Sequence, residues 1–234
     1  MTMLALSLAL GIAASQPVSV LVIVPLCDGA QLACGRGGLG DPGSPEENLY
    51  WGALYGAERV LRKERAYVVE QTSAPAPPIL RELHLRRRAA AGERELVVTL
   101  RAYDGRDIQR ALTDCLDAIA ARSADLVVWA GHDVLMDIPA PARDRSERAA
   151  NAAVLACASE EYFGPVLDAL GARAVALTRS FMAPEGYLLD ALLQNVARHG
   201  PEEREHLRAA LVGAYAKYQR VSRKAAGTVF SHLE

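Results

Sequence analysis

The chain has 234 residues, 51% hydrophobic and 23% charged, enough for one α/β domain with a full core. Its 26 basic residues stand against 28 acidic ones, a net charge of -2, so no global basic field exists and no nucleic-acid partner is expected. No apolar stretch reaches membrane-spanning length, which argues against stable membrane insertion.

The first apolar run, LALSLALGIA at residues 4–13, is followed by the small residues Ala13, Ala14 and Ser15. That pattern suits a signal peptide over residues 1–15, cut before Gln16, and hence an exported protein; its n-region lacks Lys and Arg, and a buried first strand or helix is the alternative. Residues 18–26, VSVLVIVPL, are the most β-branched run and read as a central strand. A long loop follows over residues 27–43. In it Gly35, Gly37 and Gly40 have the G-x-G-x-x-G spacing of a phosphate-cradling turn, although they begin well beyond the strand and Pro42 follows them. A mobile loop above a site is the better account of these glycines. Cys27 and Cys34 lie seven apart in the same loop and could form a disulfide if the chain is exported, at a distance the sequence does not fix.

Ser44, Pro45 and Glu47 make a helix start, and the pattern predicts a helix to about Lys63 that buries Leu54, Val60 and Leu61. Asn48, Tyr50 and Trp51 would lie in its first turns. Residues 66–70 read as a short strand and residues 73–78 as irregular chain; Arg86, Arg87 and Arg88 read as a solvated helix end or loop. Strand character resumes at residues 95–102. A helix then carries Ile108, Ala111, Leu112, Cys115, Leu116 and Ile119 on one face, with Cys115 as a small core residue.

Two short apolar runs come next, residues 125–130 and 152–156, each suited to a strand buried on both faces. The first ends at His132 and the second at Cys157. Residues 139–151 between them read as a short helix crossing from one parallel strand to the next. A further strand is expected at residues 174–178, and two helices opening with Pro184 and Pro201; the second carries Leu207, Leu211, Ala214, Tyr215 and Tyr218 along one face. The expected fold class is α/β, a mostly parallel sheet flanked by helices on both faces, formed by residues 16–234. In such sheets chemistry gathers at the carboxyl ends of strands, so a His and a Cys delivered there suggest a thiol nucleophile and its base.

The strand ending in Ala130-Gly131-His132 and the next ending in Ala156-Cys157-Ala158-Ser159, with Phe163 beyond, resemble the caspase–haemoglobinase fold of cysteine peptidases, the legumain version in particular. The resemblance implies a caspase-like fold and a catalytic Cys157–His132 dyad acting on a peptide or protein substrate without a cofactor. It also implies an oxyanion hole built from the N–H after the His and that of the Cys. In this chain Asp133 stands where the family has Gly, which would bring a negative charge near the oxyanion.

Asp133 and Ser159 adjoin the two reacting residues and are expected at the substrate. Asp28 and Glu185, with Glu160 and Glu161, are strand-end carboxylates suited to a basic substrate side chain; salt bridges and helix N-terminal charges account for them equally well. His132, Asp133 and Asp137 lack a compact zinc motif, so no metal is expected. Two further readings remain: a catalytically inactive interaction module on the same fold, and a phosphate- or nucleotide-binding domain using the Gly35 to Gly40 loop. Oligomeric state is not legible.

Overall fold

The structure, a computed structural model, describes residues 16–233. The apolar run at residues 4–13 and the expected signal segment lie outside the described residues.

Seven strands form one sheet in the order β2-β3-β4-β1-β5-β6-β7. They are β1 Val18–Pro25, β2 Tyr67–Ser73, β3 Ile79–Arg87, β4 Leu96–Tyr103, β5 Leu126–Ala130, β6 Asn151–Leu155 and β7 Arg173–Ala176. From β4 through β1, β5 and β6 to β7 every pairing is parallel; β3 is antiparallel to both β2 and β4. Around the sheet lie α1 Ala57–Lys63, α2 Ile108–Ala121, α3 Ser159–Leu170, α4 Gly186–His199, α5 Arg204–Gln219 and α6 Arg223–Gly227. This is the expected mostly parallel α/β fold.

The alternation of side chains along β1 explains its composition. Val20, Val22 and Val24 enter a core with Leu61 of α1, Leu192 and Val196 of α4, and Leu207 and Leu211 of α5. Leu21 and Ile23 enter the opposite core, with Leu112 and Leu116 of α2 and Phe163 and Leu167 of α3. A strand covered on both faces has few polar positions to spare, hence the unbroken apolar run from Val20 to Pro25. All six stripe residues of α2 are buried as expected, and burial pushes the Cys115 thiol up to about 12, leaving it inert.

Three expectations are corrected. The helix expected from Ser44 to Lys63 exists only over Ala57–Lys63, and residues 45–47 and 49–55 form turns and a bend. Leu54, expected in the core, is 58% exposed. The cause is Asn48, whose buried side chain accepts from Cys27 N–H and Tyr50 N–H and donates to the carbonyls of Cys27 and Asp41. Such a tie to distant backbone competes with helix hydrogen bonds. Gly52 permits the resulting tight turn, since a Cβ there would lie 1.9 Å from the Glu46 carbonyl oxygen.

The crossover at residues 139–150 is not helical. Pro139 and Pro141 remove two donors, and Ser146 is held instead by its neighbours, its hydroxyl donating to Ala120 O and its N–H to Leu170 O. Finally, Arg86 and Arg87 belong to a strand, β3, rather than to a loop. Its alternation is real, with Leu83 and Leu85 buried, but the intervening Glu82, His84 and Arg86 are polar because that face carries a ladder of pairs, Glu82 with Arg101 and Arg86 with Glu70 and Glu95. Arg87 is itself buried, facing Glu93 at 2.8 Å.

Candidate active site

β5 and β6 are adjacent and parallel, and their last paired residues are Ala130 and Leu155. His132 and Cys157 each stand two positions beyond that pair, so both lie just past the same carboxyl edge of the sheet. Within the strands Val128, Ala130 and Leu155 share the core beneath α4 and α5, and each strand bends at its next residue, Gly131 and Ala156.

His132 is held by the chain on both sides of it. The indole N–H of the fully buried Trp129 donates to the His132 carbonyl at 3.0 Å. The ring Nε2 lies 2.6 Å from Asp137 Oδ2, and the imidazole is only 15% exposed. Trp129 packs beside Phe163 in the core under α2 and α3, so neither ring fills the space beside the thiol.

Cys157 is partly exposed and unbonded to other cysteines. Its Sγ accepts from Met182 N–H and faces Met182 O, both at 3.4 Å. No hydrogen bond joins it to His132. Tyr50, raised to about 12 mainly by burial, and Tyr215 both lie within electrostatic range of the thiol. The next residue, Ala158, is left-handed at φ 48°, a conformation that costs a non-glycine residue about 1 kcal/mol or more. It turns the chain sharply from β6 into α3, leaving Cys157 at the corner.

Asp133 resolves the question raised by its place after His132. Its φ of -80° is open to any residue, so glycine is not required there. Its carboxyl is fully buried, accepts from Leu135 N–H at 3.1 Å, and keeps Oδ2 without a partner. Burial pushes it up to about 7, with the nearby Asp137 adding to the rise. It therefore neither contacts solvent nor presents a full charge to an oxyanion at neutral pH. The main-chain N–H groups of Asp133 and Cys157 donate to no group among the described residues.

A consequence is measurable. From about pH 4 to about 7 an unfolded chain ionises Asp133 while the folded one keeps it protonated, so its contribution to stability falls across that window and is flat above it. Asp133→Asn is expected to flatten this slope and to raise stability above pH 7 by about 2 kcal/mol, half of what the shift alone implies because the new amide needs partners of its own. Urea titrations at several pH values check it; an unchanged slope would contradict the assignment.

The other expected substrate residues are placed differently. Asp28 is buried, its carboxylate accepting from Ala30 N–H and the Gln31 side chain, and so shapes the residue 27–43 loop. That loop is closed by a Cys27–Cys34 disulfide and by Gly29 N–H donating to Gly40 O at 2.8 Å. Ser159 has no exposed surface; its hydroxyl donates to Val154 O and accepts from Thr178 N–H, clasping β6 to the chain after β7. Glu185 keeps solvent access at the start of α4 and accepts from Gln219 of α5 at 2.7 Å. Glu160 pairs with Arg179.

The turn at Gly37–Gly40 leads into further turns, and the next helix is the short α1. The glycines thus lack the contiguous helix N-terminus a pyrophosphate site needs. Among the described residues no three His, Cys, Asp or Glu side chains are grouped to hold a metal ion. Asp137, weighed from the sequence only as a metal ligand, and Met182, given no role there, are the residues that contact the His132 ring and the Cys157 thiol. Of these only Asp137 carried a signal, its closeness to His132. No family model matches the chain, and no curated protein or solved structure is significantly similar to it.

Proposed function

We propose that this chain is a cysteine hydrolase of peptide or related amide bonds, with Cys157 as nucleophile and His132 as its base, in the manner of the caspase–haemoglobinase peptidases. The observation that carries the reading is the equal register of His132 and Cys157 beyond the paired ends of adjacent parallel strands. In the reaction His132 takes the thiol proton, Sγ attacks the scissile carbonyl, and the tetrahedral oxyanion meets the free N–H groups of Asp133 and Cys157. The imidazolium then returns the proton to the leaving amine as the C–N bond breaks. Water hydrolyses the thioester and restores the thiol.

α3 begins two residues after Cys157, so its positive end lies beside a thiolate formed there. The resting thiol is engaged by Met182, and catalytic contacts of this kind tighten when substrate binds. Export belongs to the same proposal and is supported by the Cys27–Cys34 disulfide, a bond that persists in oxidising compartments.

Of the four cysteines, two are bonded and Cys115 is buried, so a peptidyl acyloxymethyl ketone is expected to form one adduct, at Cys157, seen by peptide mass mapping. The adduct should vanish in His132→Ala. A second reading, a non-catalytic interaction module, draws on the engagement of His132 with Asp137 and of Cys157 with Met182 rather than with each other. It predicts slow alkylation of Cys157 that is indifferent to His132.

A further inference from the structure

We infer that Asp137 is the positioning residue of this site, fixing which nitrogen of His132 receives the thiol proton. The inference rests on the hydrolase reading of His132 and Cys157. Asp137 Oδ2 lies 2.6 Å from His132 Nε2. An ionised carboxylate has only acceptors. The nitrogen facing it must therefore carry the hydrogen, so the neutral ring is the Nε2–H tautomer and the lone pair sits on Nδ1. Nδ1 is then the atom that takes the proton from Cys157.

Local structure builds this pair. A tight 3-10 turn, Val134–Met136, separates the two residues. Met136 N–H donates to Asp133 O and Asp137 N–H to Val134 O, while the Asp133 carboxyl caps the turn from within at Leu135 N–H. With Trp129 gripping the His132 carbonyl at one end, the turn returns Asp137 to the ring at the other. This gives Asp133 a role: a buried acid with one orphaned oxygen holds the turn that aims Asp137.

When Cys157 gives its proton to Nδ1, the ring becomes a cation with N–H on both nitrogens. The Nε2–H remains on Asp137, whose charge stabilises that cation; the Nδ1 proton passes to the leaving nitrogen, and the ring returns to its starting tautomer. Asp137 gains no proton at any step. Its carboxylate is 57% exposed, so its effect belongs at the lower end of what such groups contribute.

The test reads the tautomer directly. In long-range proton–nitrogen spectra of protein labelled at its five histidines, recorded where the rings are neutral and with His132 assigned from a His132→Gln variant, the wild type is expected as Nε2–H. Asp137→Ala should give a mixture in which Nδ1–H appears. On a hydrolysed peptide found with the ketone probe, Asp137→Ala should lower kcat about 5-fold with KM little changed, the most that so exposed a pair supplies, and Asp137→Glu should recover most of it. A wild-type Nδ1–H ring, or the same spectrum in Asp137→Ala, would overturn the inference. Should the wild type neither hydrolyse peptides nor alkylate at Cys157 while its ring is Nε2–H, the hydrolase reading fails and the catalytic role of Asp137 fails with it, leaving only its orienting of the ring.

Discussion

Replacing His132 by Ala is expected, on the proposed hydrolase reading, to lower kcat/KM for peptide hydrolysis by a factor on the order of 10³, the middle of the range for loss of a general base and about 4 kcal/mol of transition-state stabilisation. Almost none of that loss should come from the fold. The ring makes one hydrogen bond, to a carboxylate that is itself more than half exposed, and such pairs contribute about 0–1 kcal/mol. Truncating a ring only 15% exposed also forfeits packing worth about 1 kcal/mol, so the melting temperature should fall by about 4–8 °C at most in a chain of this size. Progress curves and thermal melts on the same preparation measure both quantities. A variant that keeps its activity removes His132 from the mechanism, whereas one that loses activity and melts far lower points to a structural role.

The largest effect on stability is expected from Asn48→Ala. Asn48 is fully buried, and its amide makes four hydrogen bonds: to both backbone groups of Cys27, to Asp41 O and to Tyr50 N–H. Alanine would leave those four backbone groups without that partner, at about 1 kcal/mol each, or about 4 kcal/mol together. That corresponds to a melting temperature about 8–16 °C lower. Cys27 stands two positions past β1, at the edge that presents His132 and Cys157, and Tyr50 lies in range of the thiol, so alkylation of Cys157 should change as well. A shift under about 3 °C would mean that water replaces the amide at little cost.

The elements read correctly from sequence are those whose cause is local. The α2 stripe is a periodicity within one element, and all six of its apolar residues are buried. The apolar runs of β1, β5 and β6 report two-sided burial, which any strand in the middle of a parallel sheet experiences. From those runs the order and separation of His132 and Cys157 follow, and with them a shared carboxyl edge. β3 was legible in principle, since Leu83 and Leu85 alternate with polar residues, but the three arginines at its end drew it toward a loop reading. Only the ladder with Glu70, Glu95 and Arg101 explains why charges occupy a strand there.

What tertiary structure alone decided is where each polar side chain finds its partner. Residues 44–47 carry a sound helix start, yet the chain turns because Asn48 bonds to Cys27, 21 positions earlier. Asp28 and Ser159 are suited to a substrate by composition, and both are buried in bonds to neighbouring backbone. Asp133, one position from a candidate catalytic histidine, faces inward and is pushed up to about 7, while Asp137, four positions further on, meets the ring. The distinction is physical: an apolar residue is buried by any apolar neighbour, so its fate can be read from pattern, whereas a hydrogen bond requires one particular atom about 3 Å away, and the fold alone supplies it.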